Sequence, residues 1–371
     1  MKRIVLCADG TWNEPEQKDE ETGRRRPTNV LKVARAVLPE ARSGGTEQVV
    51  FYLTGIGAES DGVDRWTDGA FGHGMERNVR ALYRFLVFNY MPTDEIYLFG
   101  FSRGAFTVRT LAGFMSVVGL LEKEDEFYTP ELYALYESSA ATGSPQWQRA
   151  FAKVRRRRAC PPIRFIGVWD TVGSLGAPGA LGQLFNRNKY RYHDIGLNPH
   201  IERAYHALAI DERRGPFAPS LFERPDGWAG ELQQAWFPGY HCNVGGGLDP
   251  DGVANEALHW IVEKAEALGL EFDGRYLGYY LPCFNSDLRD SMSLKYRAMR
   301  KHVRRIGVNG PHGEALHRST VDRMDLADCR YAPGNLTREA ARAMPVVDTK
   351  RIARGVPCTP LLPLRTRAAD A

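Results

Sequence analysis

The chain has 371 residues, 43% hydrophobic and 25% charged, with 49 basic side chains against 45 acidic ones and a formal charge of +4. This is the composition of a globular protein of one large domain or two smaller ones, not of a disordered, fibrous or strongly nucleic-acid-seeking chain. No apolar run reaches the length of a membrane span, since the longest, Leu111 to Leu121, is interrupted by Gly113, Ser116 and Gly119.

The first predicted strand, Lys2 to Ala8, begins almost at the N-terminus and meets charge before a signal-peptide core can form. A cytosolic origin without a cleaved signal is therefore expected. The strand ends in Asp9-Gly10-Thr11-Trp12-Asn13. A charged loop leads to a helix from Asn29 to Val37, stopped by Pro39. The second strand, Gln48 to Leu53, runs into Gly55-Ile56-Gly57, and a helix from Met75 to Tyr90 follows a Gly- and Asp-rich loop.

The third strand, Asp94 to Phe99, carries the most informative stretch of the chain. Gly100-Phe101-Ser102-Arg103-Gly104 joins it to a helix whose apolar side chains, Ala105 to Met115, recur at helical spacing. Strand, G-x-S-x-G and helix in succession form a nucleophile elbow, a strained turn that lifts the serine hydroxyl above the sheet edge. The glycines two before and two after the serine are needed because side chains there would collide across the turn. The competing reading is a Gly-rich turn that packs tightly or holds a phosphate at the helix N-terminus.

Residues 122–159 read as a helical insertion with Tyr128, Leu132, Leu135 and Tyr136 on one side. The fourth strand, Ile163 to Trp169, ends at Asp170-Thr171-Val172-Gly173, and a loop rich in Gly, Pro and Asn spans residues 173–199. This loop and the insertion are candidates for a lid or an acyl pocket. The fifth strand, His206 to Ile210, ends at Asp211-Glu212-Arg213-Arg214. The sixth, Gln234 to Phe237, ends at Pro238-Gly239-Tyr240-His241, and Asn255 to Leu268 is an amphipathic helix. Strands alternating with helices predict a mostly parallel central sheet with helices on both faces. One domain is expected over residues 1–345, with a catalytic core of about 1–268 and an extension over 269–345. Residues 346–371, rich in Pro and Arg, read as a tail.

The six cysteines (7, 160, 242, 283, 329 and 358) contain no C-x-x-C pair, so reduced thiols are expected and neither a disulfide framework nor a metal site. No cofactor is expected. The basic runs Arg24-Arg25-Arg26 and Arg155 to Arg158 are not interleaved with aromatics, which argues against nucleic acid. They read as solvated loops or a helix end, with transient contact to an anionic membrane surface as the lesser alternative.

A serine hydroxyl needs an adjacent base, itself oriented by an acid. In α/β-hydrolases the chain order is serine, then Asp or Glu, then histidine. Of the later histidines only His241 falls in a glycine turn directly after a strand, ahead of Gly245-Gly246-Gly247, a triplet that calls for close packing against the elbow or a ligand. Two acids compete. Asp170 has an apolar approach and a Gly-rich exit and is preferred, while Asp211 stands at the more usual strand end but beside an Arg pair suited to a structural carboxylate. The oxyanion donors are expected to be the Arg103 N–H and that of Gly10 or Thr11, from the loop after the strand two before the elbow. Asp9 either braces that loop or touches substrate. The six strands thus map onto the last six of the eight-stranded hydrolase sheet.

These residues resemble the DUF2235 family, the α/β-hydrolase-type domain of Tle1-like phospholipase effectors of type VI secretion. The likeness rests on Leu6 to Asn13, Gly55 to Gly57, Gly100 to Ala105, Gly167 to Gly173, His206 to Arg214 and Trp236 to His241, an ordered set running to about residue 265. It implies a Ser102, Asp170 and His241 triad acting on phospholipid esters, delivery by a secretion system, and a secretion-system or immunity partner. One departure is visible: the family's H-x-D-V-G-G-G-Y carries Asn243 for the acid and Leu248 for the aromatic here. A hydrolase of soluble small esters or thioesters, and a non-catalytic binding module of the same fold, are the alternatives.

Overall fold

The alternation of side chains along the strands decides which helices cover which face. The computed structural model describes residues 1–352 apart from positions 12, 17, 20 and 139 and the segments 56–67, 174–195, 291–301 and 308–312. In β1 (Arg3–Ala8), Ile4, Leu6 and Ala8 enter one apolar cluster while Val5 and Cys7 enter another on the opposite face. Both faces are therefore dry, as a parallel sheet requires. Each fully buried aliphatic contributes roughly 1.5–3 kcal/mol.

The remaining sheet strands are β2 (Gln48–Leu53), β3 (Glu95–Phe101), β6 (Ile163–Trp169), β7 (Arg203–Ala209), β8 (Glu231–Phe237), β9 (Glu314–His317) and β10 (Val346–Val347). They run in the order β10-β9-β8-β7-β6-β3-β1-β2, and every neighbouring pair is parallel. The mostly parallel α/β hydrolase-like sheet read from the sequence is present. Two strands were not foreseen. β9 lies in the expected extension, and β10 opens what read as a tail. The apolar residues of β9 are few, and β10 is only two residues long, so neither produces a recognisable period. Residues 353–371 lie outside the described residues.

Helices α2 (Asp68–Asn89), α3 (Arg103–Val118), α4 (Thr129–Glu137) and α5 (Pro145–Lys153) bring their apolar side chains to the first cluster. Those of α1 (Asn29–Ala36) and α7 (Gly252–Glu266), with a short α6 (His241–Gly245) between β8 and α7, meet the second. Leu132 and Tyr136 of the insertion are buried, and Tyr128 and Leu135 pack partly against the same cluster. A small antiparallel pair, β4 (Leu120–Leu121) with β5 (Arg157–Arg158), closes the insertion's base. There the basic run is ordered, with Arg158 paired to Glu122 at 2.8 Å.

The chain winds outward from β1 to β2, then crosses back over β1 to β3 and continues the other way. The reversal falls between β1 and β3, the switch point beyond whose carboxyl ends α/β sheets open a crevice. The Asp9-Gly10-Thr11 loop leaves β1 there, and Ser102 leaves β3.

Candidate active site

Ser102 has φ 57° and ψ −121°, a region that non-glycine residues rarely enter. Its backbone N–H donates to the Trp169 carbonyl of the neighbouring strand at 3.0 Å. The flanking glycines have the steric reason expected of them. A Cβ on Gly100 would lie 2.6 Å from Ala105 Cα, and one on Gly104 would lie 2.1 Å from the Ala8 carbonyl oxygen of β1. The turn is thus wedged between its own helix and the adjacent strand.

Asp170 follows β6, next to the elbow strand, and also has positive φ, 39°. Its side chain is fully buried. His241 Nδ1 donates to Asp170 Oδ2 at 2.6 Å, which leaves Nε2 as the basic nitrogen. Burial works against the charge on Asp170. The Arg304 guanidinium at 2.5 and 2.9 Å and the His241 bond outweigh it and hold the carboxyl well below the ordinary carboxylate range. His241 is itself lowered from the usual imidazole value, chiefly by burial, against which Asp170 pulls upward. A neutral histidine oriented by an ionised acid is the resting state a general base needs.

The rest of the shell holds these two groups in place. The His241 ring lies 4.6 Å from that of Phe101 and meets the edge of Phe217 at 4.9 Å, centroid to centroid. Glu212 pairs with Arg214 at 2.7 Å and accepts the His241 backbone N–H at 3.3 Å. Asn243, the departure noted in the sequence, accepts the Tyr240 N–H at 3.2 Å and so caps α6. A Cβ on Gly245 would fall 1.9 Å from the Phe101 ring, so this glycine of the triplet packs against the elbow strand, while Gly246 lies against Thr28 and Asn29. Behind Asp170, His206 accepts the Thr171 N–H at 3.0 Å, and its pKa drops to about 3, first through burial and then through Arg109. Among the described residues no hydrogen bond joins Ser102 Oγ to His241 Nε2, a contact that in hydrolases commonly tightens only when substrate arrives.

Asp211 does not reach His241. Its Oδ2 accepts from the Gly239 N–H at 2.6 Å and the Tyr331 hydroxyl at 2.8 Å, holding two strand ends together. Asp9 is buried and braces the loop after β1. Oδ1 accepts from the Gly10 N–H at 2.7 Å and Asn13 Nδ2 at 3.3 Å, and Oδ2 accepts from Thr28 Oγ1 at 2.6 Å and the Tyr52 hydroxyl at 2.8 Å. The Gly10 N–H is therefore already engaged, and Thr11 is the candidate for a second oxyanion donor. The Thr11 hydroxyl is buried without a hydrogen-bond partner. Gly10 itself approaches Ser102, its notional Cβ 3.1 Å from Ser102 Cβ, and a Cβ on Gly55 would run into the Gly10 carbonyl oxygen. Trp12, Ile56 and Gly57 lie outside the described residues, as does most of the 173–199 loop.

Sequence reasoning missed Arg304. It sits 134 residues from Asp170 in Arg300-Lys301-His302-Val303-Arg304-Arg305, a run that looks like a solvated basic segment. Glu212 lay inside a quoted motif but had no role attached, because nothing local shows that it turns toward His241.

Residues 2–264 match the family model described as "T6SS, Phospholipase effector Tle1-like, catalytic domain". An uncharacterized protein of Saccharomyces cerevisiae, YEL023C, is 31% identical over 241 residues, covering 60% of this chain and 33% of the yeast protein. The chain thus spans about a third of that relative's length. Among solved structures, an uncharacterized protein from Pseudomonas aeruginosa is similar over 76% of this chain and 49% of its own, at 16% identity and a TM-score of 0.45. The Tle1 effector bound to the VgrG spike of the type 6 secretion system is similar over 66% of this chain and 51% of its own, at 19% identity and a TM-score of 0.35.

Proposed function

The chain belongs to the Tle1-like catalytic-domain family of type VI secretion phospholipase effectors, and from that premise we propose that it is a serine hydrolase cleaving carboxylic esters of phospholipids. The observation that carries the mechanism is the 2.6 Å bond from His241 to a buried, ionised Asp170, on the strand end beside a serine held at positive φ. His241 Nε2 takes the proton of Ser102 Oγ as the oxygen attacks the ester carbonyl. The tetrahedral oxyanion is met by the backbone N–H groups of Arg103 and Thr11. Collapse expels the alcohol, which receives the proton from His241, and leaves acyl-Ser102. Water, activated by the same nitrogen, releases the fatty acid and restores the serine.

Phospholipid is the substrate class that the family description supports, and the same description supports delivery by a type VI machine. Among the described residues no helix is long and apolar enough to cross a membrane.

Incubation of the full chain with mixed phospholipid vesicles, followed by product analysis, tests the proposal. Release of fatty acid and lysophospholipid is expected, lost by at least about 10³-fold in Ser102→Ala, together with labelling of Ser102 by a fluorophosphonate. Turnover that persists in Ser102→Ala overturns the mechanism. Activity confined to short nitrophenyl esters moves the substrate to soluble esters.

A further inference from the structure

A fully buried arginine of the site comes from outside the segment that matches the family model, residues 2–264. Segment 302–307 crosses the carboxyl edge of the sheet. It is tied down by His302 N–H to the Arg213 carbonyl at 2.9 Å, Asn335 Nδ2 to the Arg304 carbonyl at 3.0 Å, and Gly307 N–H to Glu314 Oε2 at 2.9 Å. Arg304 points inward from it and is 1% exposed. Nη1 donates to Asp170 Oδ1 at 2.5 Å and to the Ala209 carbonyl at 2.8 Å. Nη2 donates to Asp170 Oδ2 at 2.9 Å and to the Phe217 carbonyl at 2.7 Å.

We propose that Arg304 is a positioning residue of this site, fixing the plane of the Asp170 carboxylate and setting how basic His241 is. The inference rests on the assignment of Asp170 and His241 as acid and base. A bidentate fork defines an orientation, because guanidinium and carboxylate must be nearly coplanar for both bonds to form. With that plane fixed, Oδ2 meets His241 Nδ1 at 2.6 Å while sharing its charge with Nη2. The same guanidinium holds the carbonyl of Phe217, whose ring edge lies against the imidazole. Acid and aromatic wall are thus set by one side chain.

The electrostatic consequence has a definite sign. A carboxylate shared with a cation stabilises imidazolium less than one left to itself, so Arg304 keeps His241 less basic. The other charged groups facing His241 are Asp170 from the end of β6, and Glu212 with Arg214 from the turn after β7. Glu212 and Arg214 pair with each other at 2.7 Å and act on His241 with opposite signs, while Arg304 acts on it through the Asp170 carboxylate that both share.

The test uses the full chain labelled at histidine, with the His241 resonance identified by its loss in His241→Gln. In Arg304→Met the His241 midpoint should rise by about one pH unit or more. The acid limb of kcat/KM on p-nitrophenyl butyrate should move up with it. In the same variant kcat should fall about 10²-fold, with KM changed by less than about 3-fold. Arg304→Lys restores the charge without the fork, so the midpoint should return toward that of the parent while kcat stays at least about 10-fold down. A folded Arg304→Met with an unmoved midpoint and kcat within about twofold of the parent overturns the proposal. If that variant does not fold, Arg304→Lys decides alone, and parental kcat in it overturns the proposal equally. The hydrolase reading fails separately, through turnover that survives in Ser102→Ala, because the His241 midpoint is read without any substrate.

Discussion

Asp170 and Asp9 invite comparison because they match in burial and in the number of hydrogen bonds they accept, but not in the charge around them. Both follow strands of the same sheet, β6 and β1, separated only by the elbow strand. Asp170 is 0% and Asp9 2% exposed. Each carboxylate accepts four hydrogen bonds, from Ala209 N–H, His241 and both Nη atoms of Arg304 for Asp170, and from Gly10 N–H, Asn13, Thr28 and Tyr52 for Asp9. The difference is formal charge in the shell. Arg304 gives Asp170 a cation, whereas every donor to Asp9 is neutral. Burial pushes Asp9 up to about 6 in spite of its hydrogen bonds, while Asp170 is held well below the carboxylate range. Counting hydrogen bonds would have made the two residues equivalent. Charge separates one held well below the carboxylate range from one pushed up to about 6.

The sharpest break of this comparison is Asp170→Asn. The amide cannot hold His241 in the same tautomer, and turnover should fall by about 10⁴-fold. It also leaves Arg304 buried without its counter-ion, at a cost of about 3–5 kcal/mol. Urea unfolding of the variant beside its phospholipid turnover measures both. Retention of more than a tenth of parental activity would remove Asp170 from the mechanism.

Asp9→Asn acts on the other half of the pair and reads out as a pH dependence. A group that binds its proton near pH 6 when folded and near 3.8 when unfolded holds more protons in the folded state between those values. Stability therefore falls as pH rises through that window, by about 3 kcal/mol in total, and the loss is complete above about pH 6. Asp170 works with the opposite sign, since its lowered value contributes stability that is lost as pH falls below the unfolded carboxylate range. The unfolding free energy of the parent minus that of Asp9→Asn should fall by about 3 kcal/mol from pH 4 to pH 6 and then stay flat. A difference that does not vary with pH would show that Asp9 is not the titrating group.

How much of this was legible in the sequence follows the same division. The six strands, their order and the elbow could be read because β-branched runs, glycine turns and helical spacing are local signals. Asp170 and His241 stood out because each follows an apolar strand and precedes a Gly-rich turn. Asp9 was recognised as important but could not be placed, since Thr28 and Tyr52 reach it from other elements. Arg304 was invisible. Its significance depends on a chain path that folds residues 302–307 back over the strand ends, and its neighbours in sequence, Arg300, Lys301 and Arg305, disguise it as one of a solvated group. The strands β9 and β10 escaped for a related reason, because short edge strands carry too few residues to show a period.

The smallest effect is expected at the third strand-end carboxylate, and it is the control for the other two. Asp211 follows β7 and resembles Asp9 in having only neutral donors, so burial raises its pKa as well. Both of its bonds fall on one oxygen, Oδ2, which accepts from Gly239 and Tyr331. An asparagine that places its carbonyl oxygen there keeps both bonds and sheds a charge that is disfavoured at neutral pH. Asp211→Asn should therefore change stability by less than about 1 kcal/mol, leave kcat/KM within about threefold, and leave the pH profile of turnover unmoved. Tyr331, which anchors residues beyond 313 to this strand end, supplies the cross-check, since Tyr331→Phe removes one of the two bonds and should cost about 1 kcal/mol without altering the His241 midpoint. Should Asp211→Asn abolish turnover while Asp170→Asn does not, the acid of the triad is Asp211, and the contrast in charge between Asp170 and Asp9 would describe only how this sheet is held together.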